Sequence, residues 1–190
     1  MILRLALACG LVALATAASA QQPAPPAGPP PVVTRDAFGE ETTLPARTVI
    51  FKKGSAKWES AWETVVAAFT AVRASADRLG LKVNGSAFLI YRSTDDEGFE
   101  FEAAFPIEAA PASPPGGDIQ IGPAPAGKAL KFVHRGAFDG METMYESIAN
   151  LLDAKGLPAE DLFIEEFVTD PLSTKPDALV INVYVPLNAK

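Results

Sequence analysis

The sequence predicts an α+β domain made by tandem duplication of a strand–helix–strand–strand unit. It should form one antiparallel sheet, with two helices on one face and a ligand groove between the repeats on the other. Two observations predict this. Apolar spacing switches from a period of two to a period of 3.6 and back, in the same order, twice along the chain. Matching landmarks, Gly54 with Gly136, Tyr91 with Phe167 and Pro106 with Pro186, lie 76 to 82 positions apart. Two such units join their sheets and cover one face with both helices, which leaves a groove where they meet.

The chain opens on "MILRLALACGLVALATAASA", residues 1–20, with one early base, Arg4, and an apolar run to about Ala15. Ala18-Ser19-Ala20 is a small-x-small cleavage pattern, so this segment reads as a secretory signal peptide cut after Ala20. The run is short for a membrane span and no cationic stop follows it, so no stable membrane insertion is expected after cleavage. The mature protein is expected to be periplasmic or secreted. Cys9 follows Ala6-Leu7-Ala8 too near the start for a lipoprotein site, and cleavage after Ala20 leaves no cysteine. That excludes a disulfide, a thiol nucleophile and a thiolate metal site.

Residues 21–43, beginning "QQPAPPAGPPPVV", read as a disordered proline-rich linker. The folded domain is expected over residues 44–190, with repeats at about 44–108 and 118–187. In the first copy, "RTVIFKK" is a strand ending at Gly54, and Ser55 is an N-cap for a helix carrying Trp58, Trp62, Val65, Val66, Phe69, Val72 and Leu79. Gly80 stops that helix. "SAFLIYR" and "FEFEAAFPI" follow as strands joined by the hairpin loop "STDDEG". A Pro/Gly-rich crossover with a short "DIQI" strand leads to the second copy. There, "KALKFVHR" ends at Gly136, and Asp139 with Glu142 suggests a capping box. The second helix carries Met141, Met144, Tyr145, Ile148, Leu151 and Leu152 and stops at Gly156; "DLFIEEFVT" and "ALVINVYVP" close the unit.

The chain has 16 basic and 23 acidic residues and a net charge of −7. Loss of Arg4 with the leader makes the balance 15 against 23. Nucleic-acid binding needs a basic footprint, so nucleic acid is not an expected partner. The acidity suits neutral or cationic small ligands, and equally suits simple solubility. Nothing in the sequence specifies a protein partner.

The ordered series "APAGKALKFVHRGAF", then the second helix, then "FIEEFVTDP" and "ALVINVYVPL", together with "LPARTVIFKKG" at the start, resembles the GyrI-like, or bacterial transcription-activator effector-binding, family. That family belongs to the same superfamily as the SOUL haem-binding proteins. The likeness spans about Leu44 to Leu187. It implies binding of small amphipathic molecules, often aromatic cations, in a groove between the repeats. It also implies that the glutamate two residues before the aromatic of the penultimate strand meets the positive charge. Counted back from Asp170-Pro171, that glutamate is Glu165 and the aromatic is Phe167, where the family commonly has tyrosine. The resemblance leaves two alternatives: a hydrolase using a groove glutamate on an electrophilic small molecule, or a SOUL-type haem-binding protein. Export removes the chain from DNA, so direct transcription regulation is not expected.

Strand alternation sorts the candidates. Phe163, Glu165 and Phe167 share one face of their strand, and Ile164, Glu166 and Val168 the other. Leu179, Ile181, Val183 and Val185 should face the helices, leaving Val180, Asn182 and Tyr184 to the groove. With Ile164 and Val168 on the aliphatic side, Glu165 falls in the groove beside Phe163, Phe167 and Tyr184. From the first copy Ala87, Leu89 and Tyr91 are expected in the groove, as are Glu100, Glu102 and Ala104, with Phe99, Phe101, Ala103 and Phe105 in the core. The expected ligand-binding set is therefore Glu165, Phe167, Tyr184, Tyr91, Phe163 and Glu102. The alternative for each carboxylate is a solvated sheet face. Trp58 and Trp62, four apart, suit core or rim packing. His134 is the only histidine, which rules out a multi-histidine metal site. It is a structural strand residue, a proton shuttle or, on the SOUL likeness, a haem ligand. No cofactor, metal or catalytic residue is expected: hydrolase triads and phosphate-binding glycine loops are not found in the sequence.

Overall fold

The computed structural model describes residues 37–113, 115–157 and 162–187. The predicted signal peptide and residues 21–36 of the predicted linker lie outside them. Among the described residues, eight strands, β1 (Glu40–Leu44), β2 (Thr48–Lys57), β3 (Ala87–Thr94), β4 (Gly98–Pro106), β5 (Ile119–Pro123), β6 (Gly127–Arg135), β7 (Ile164–Phe167) and β8 (Val180–Pro186), accompany two α-helices, α1 (Ala61–Arg78) and α2 (Glu142–Ala154). The strands form one antiparallel sheet in the order β1-β6-β8-β7-β3-β4-β2-β5. The two copies meet at the β3–β7 ladder, and each copy contributes β2, β3 and β4 or their counterparts β6, β7 and β8.

The repeat is longer than the sequence suggested. Each copy has a leading strand, and the two are exchanged: β1 pairs with β6 of the second copy, and β5 pairs with β2 of the first. Residues 40–43 therefore belong to the sheet rather than to the linker. "EETTL" lacks apolar alternation because its main contribution is backbone hydrogen bonding to an edge.

Two helix starts also differ from expectation. β2 continues through Gly54 to Lys57, so Ser55 pairs with Glu100 in the ladder and caps nothing. Gly54 is required inside the strand because a Cβ there would lie 2.7 Å from Cζ of Phe101. A 3-10 turn over Trp58–Ser60 then leads into α1. In the second copy a 3-10 turn over Phe138–Met141 takes the place of the Asp139–Glu142 capping box, and α2 begins at Glu142 without a side-chain cap. Both helices end as expected. Gly80 and Gly156 take positive φ, and the following N–H closes the last turn, Leu81 to Ala76 and Leu157 to Leu152, each at 2.9 Å.

Both helices pack on one face of the sheet. Val65, Phe69 and Val72 of α1, with Ile148 and Leu152 of α2, join Leu89, Phe101, Phe105, Phe132, Ile181 and Val183 in the main core. A smaller cluster of Val49, Phe51, Phe88, Ile90, Ile164 and Tyr184 lies on the other face, flanked by Leu44, Ala124 and Leu162.

Register overturns part of the predicted facing. Directly opposed residues on antiparallel strands share a face. Val183 faces the helices as expected, but its partner is Glu165. Phe101 also faces the helices as expected, and its partner is Tyr91. Glu165, Phe163, Phe167, Tyr91, Ala87 and Leu89 therefore lie on the helix side, not in the groove opposite it. Phe167 pairs with Ala87 rather than standing opposite Tyr91. Alternation fixes which residues go together, whereas the choice of side is made by the neighbouring strand.

Candidate functional site

Glu165 sits mid-strand on β7 beneath α2, with no solvent exposure. Two phenols reach the same carboxylate oxygen. Tyr91 on β3 donates to Oε1 at 3.0 Å and Tyr145 on α2 donates to it at 2.6 Å. Oε2 is buried without a partner. The surroundings are aromatic: Tyr145 meets Phe163 edge-on at 5.2 Å, and Tyr91 lies 4.9 Å from Phe99. Phe99 in turn touches Trp58, also at 4.9 Å, whose indole is 45% exposed. A continuous run of rings thus links the surface to the carboxylate. The Tyr91 backbone contributes as well, its N–H bonding the Phe163 carbonyl at 2.9 Å.

Burial pushes the Glu165 carboxyl up from its ordinary 4.5 to about 7, against the opposing pull of the Tyr145 and Tyr91 hydroxyls. Both phenols are held well above their usual range, first by burial and then by the neighbouring Glu165 charge. At ~1.4 kcal/mol per tenfold, ionising this carboxyl inside the fold costs about 3 kcal/mol more than in water. A cation brought to Oε2 would relieve that cost, and surrounding ring faces would add ~0.5–2 kcal/mol.

The six predicted residues divide between the two faces. Glu165, Tyr91 and Phe163 come together as described. Phe167 shares their face but packs deeper, 5.3 Å from Phe69 and stacked 6.4 Å from Phe138. Trp62 joins that cluster, 5.3 Å from Phe138. Tyr184 lies on the other face and donates to Glu166 at 2.7 Å. Glu102 is also there, taken by Arg92 at 2.6 Å and Lys53 at 3.9 Å. Tyr145 was missed as a site residue. Its signal was a hydroxyl on the apolar stripe of α2, since a buried tyrosine O–H seeks an acceptor.

His134 on β6 is 9% exposed, and its Nε2 lies 2.9 Å from the Ala137 carbonyl. That contact makes Nε2 the donor, because a carbonyl oxygen only accepts. Among the described residues, no cluster of three or more His, Cys, Asp or Glu side chains is placed to hold a metal.

A family model described as the GyrI-like small molecule binding domain matches residues 40–188. No curated protein sequence matches the chain. Several solved structures share the fold. The C-terminal domain of EcmrR is 13% identical with a TM-score of 0.66, covering 79% of this chain and 96% of that one. In the EcmrR–DNA complex the likeness spans only 56% of the EcmrR chain, at 14% identity and a TM-score of 0.64. SAV2435 bound to tetraphenylphosphonium is 12% identical, with a TM-score of 0.56 and coverage of 80% and 94%. A hydrolase encoded by lin2189 from Listeria innocua is 10% identical, with a TM-score of 0.52 and coverage of 80% and 92%.

Proposed function

The chain belongs to the GyrI-like small-molecule-binding domain family, and we propose that it captures an amphipathic aromatic cation beneath α2, with Glu165 as the counter-charge. One observation carries this reading: a fully buried carboxylate with two phenols on Oε1 and nothing on Oε2. Tyr91, Tyr145 and Phe163 supply the ring surface. The likeness to SAV2435, a protein bound to tetraphenylphosphonium, supports this ligand class and suggests a probe. Tyr145 and Phe163 are half-buried and form the outer wall. Of α2 itself only Ile148 and Leu152 are buried, and we read parting of α2 from the sheet as the route to the carboxylate. We read the protein as exported, on residues 1–20, and as acting without nucleic acid, on its acidic balance.

Titration with tetraphenylphosphonium at pH 8 tests the reading. Glu165→Gln keeps the shape and removes the charge, and should weaken binding at least ~10-fold, or ~1.4 kcal/mol. Equal affinity for both proteins would reject Glu165 as the counter-charge.

The bare Oε2 also favours a second reading, in which Glu165 acts as a general base on water during hydrolysis of an electrophilic small molecule. Turnover of epoxides or activated esters that disappears in Glu165→Gln would establish it. Turnover unchanged by the substitution, or none at all, dismisses it.

A further inference from the structure

The other face of the sheet carries a cleft that Glu165 and its tyrosine partners do not reach. Its floor is Phe88, Ile90, Ile164 and Tyr184; one wall is the end of β1 with Pro45 and Arg47 of the connection to β2, and the other is Ala124-Pro125, between β5 and β6. The cavity measures about 70 Å³, on the order of five water-sized positions at ~10–15 Å³ each.

One side chain of each sign reaches this cavity. The Arg47 guanidinium lies 5.5 Å over the Phe88 ring and 3.8 Å from Oε1 of Glu166, beyond hydrogen-bond reach. Glu166 is held away by its other oxygen, which accepts from Tyr184 at 2.7 Å and from Asn182 at 3.1 Å. The two form an ion pair without a direct hydrogen bond. The planar donor fork of Arg47 and the lone pairs of Oε1 both retain capacity toward the cavity.

We propose that this cleft is a second binding site, for a small zwitterion of the α-amino-acid or betaine type. Its carboxylate takes the fork of Arg47 and its cationic nitrogen lies against Oε1 of Glu166. The apolar remainder packs on Phe88, Ile90 and Pro45. A simple anion on Arg47 would come within a few ångströms of the Glu166 charge, and a simple cation would meet the opposite penalty, so only a ligand carrying both signs satisfies both groups. The site is separate from Glu165, because successive residues of β7 face opposite sides of the sheet.

The test is a chemical-shift titration of the ¹⁵N-labelled protein with L-proline and glycine betaine, with acetate and tetramethylammonium as half-ligands at matched ionic strength. The zwitterions should move the amides of Leu44, Arg47, Ala124 and Glu166 saturably, and bind at least ~10-fold more tightly than either half-ligand. Arg47→Gln and Glu166→Gln should each lose ~10-fold in zwitterion affinity. Arg47→Gln should leave tetraphenylphosphonium binding unchanged. Acetate or tetramethylammonium binding as tightly as the zwitterions overturns the proposal, as does the absence of saturable shifts at these amides. The comparison of ligands on the wild-type chain stands even if a variant fails to fold.

Discussion

Replacing Glu165 by glutamine should change how stability depends on pH more than it changes stability at any one pH. In the folded chain the carboxyl titrates at about 7 rather than 4.5, because it is buried. Between those values the folded protein holds a proton that the unfolded chain has lost. Stability therefore falls as pH rises through this window, and the loss is complete somewhat above pH 7. The total is about 3 kcal/mol, of which roughly 2.5 kcal/mol falls between pH 5 and pH 8. Glutamine still offers an oxygen to Tyr91 and Tyr145, but it puts an amide N–H where Oε2 now lies without a partner. That unmet donor costs ~1–3 kcal/mol at every pH. Urea unfolding of both proteins at pH 5, 6, 7 and 8 isolates the effect, because every other group titrates alike in the two. The wild type should lose about 2–3 kcal/mol relative to the variant across the series, or roughly 5–10 °C in Tm. A difference that stays constant with pH would refute the reasoning, since it would mean that Glu165 is either solvated or paired with a cation.

Three further outcomes follow from the same structure. Tyr145→Phe removes the 2.6 Å bond to Glu165 and should cost ~1.5–3 kcal/mol at pH 8, where the acceptor is charged, but less at pH 5, as urea midpoints would show. Gly54→Ala brings a Cβ to within 2.7 Å of the Phe101 ring and should destabilise by ~1–3 kcal/mol at either pH; an unchanged midpoint would contradict the packing at that position. N-terminal sequencing of the protein recovered after export should begin at Gln21, and recovery of an intact Met1 terminus would contradict signal cleavage.

Much of this architecture was legible in the order of its local signals. Gly80 and Gly156 stop their helices because only glycine readily takes the left-handed turn there, and the inner strands of both copies are marked by short apolar runs. The exchange of β1 and β5 was not legible. "EETTL" and "IQIGP" pair with strands far away in sequence, and backbone pairing at a sheet edge leaves little apolar pattern behind. The side on which Glu165 lies was hidden for a different reason. Ile164 and Val168 looked like the core-facing pair, yet Val168 is 51% exposed and Ile164 joins the smaller cluster. Only the partner strands, through Val183 and Leu89, decide the matter. The same information assigns a role to Tyr145, which on the helix alone is indistinguishable from its apolar neighbours.

The most direct measurement of the central claim is the number of protons released when tetraphenylphosphonium binds, obtained by calorimetry in buffers of different ionisation enthalpy at pH 6, 7 and 8. A cation that replaces the proton on a carboxyl titrating near 7 should release roughly 0.9, 0.5 and 0.1 protons in turn, while its apparent affinity rises about tenfold from pH 6 to pH 8. Binding that releases no protons and keeps the same affinity across this range would contradict a Glu165-centred cation site.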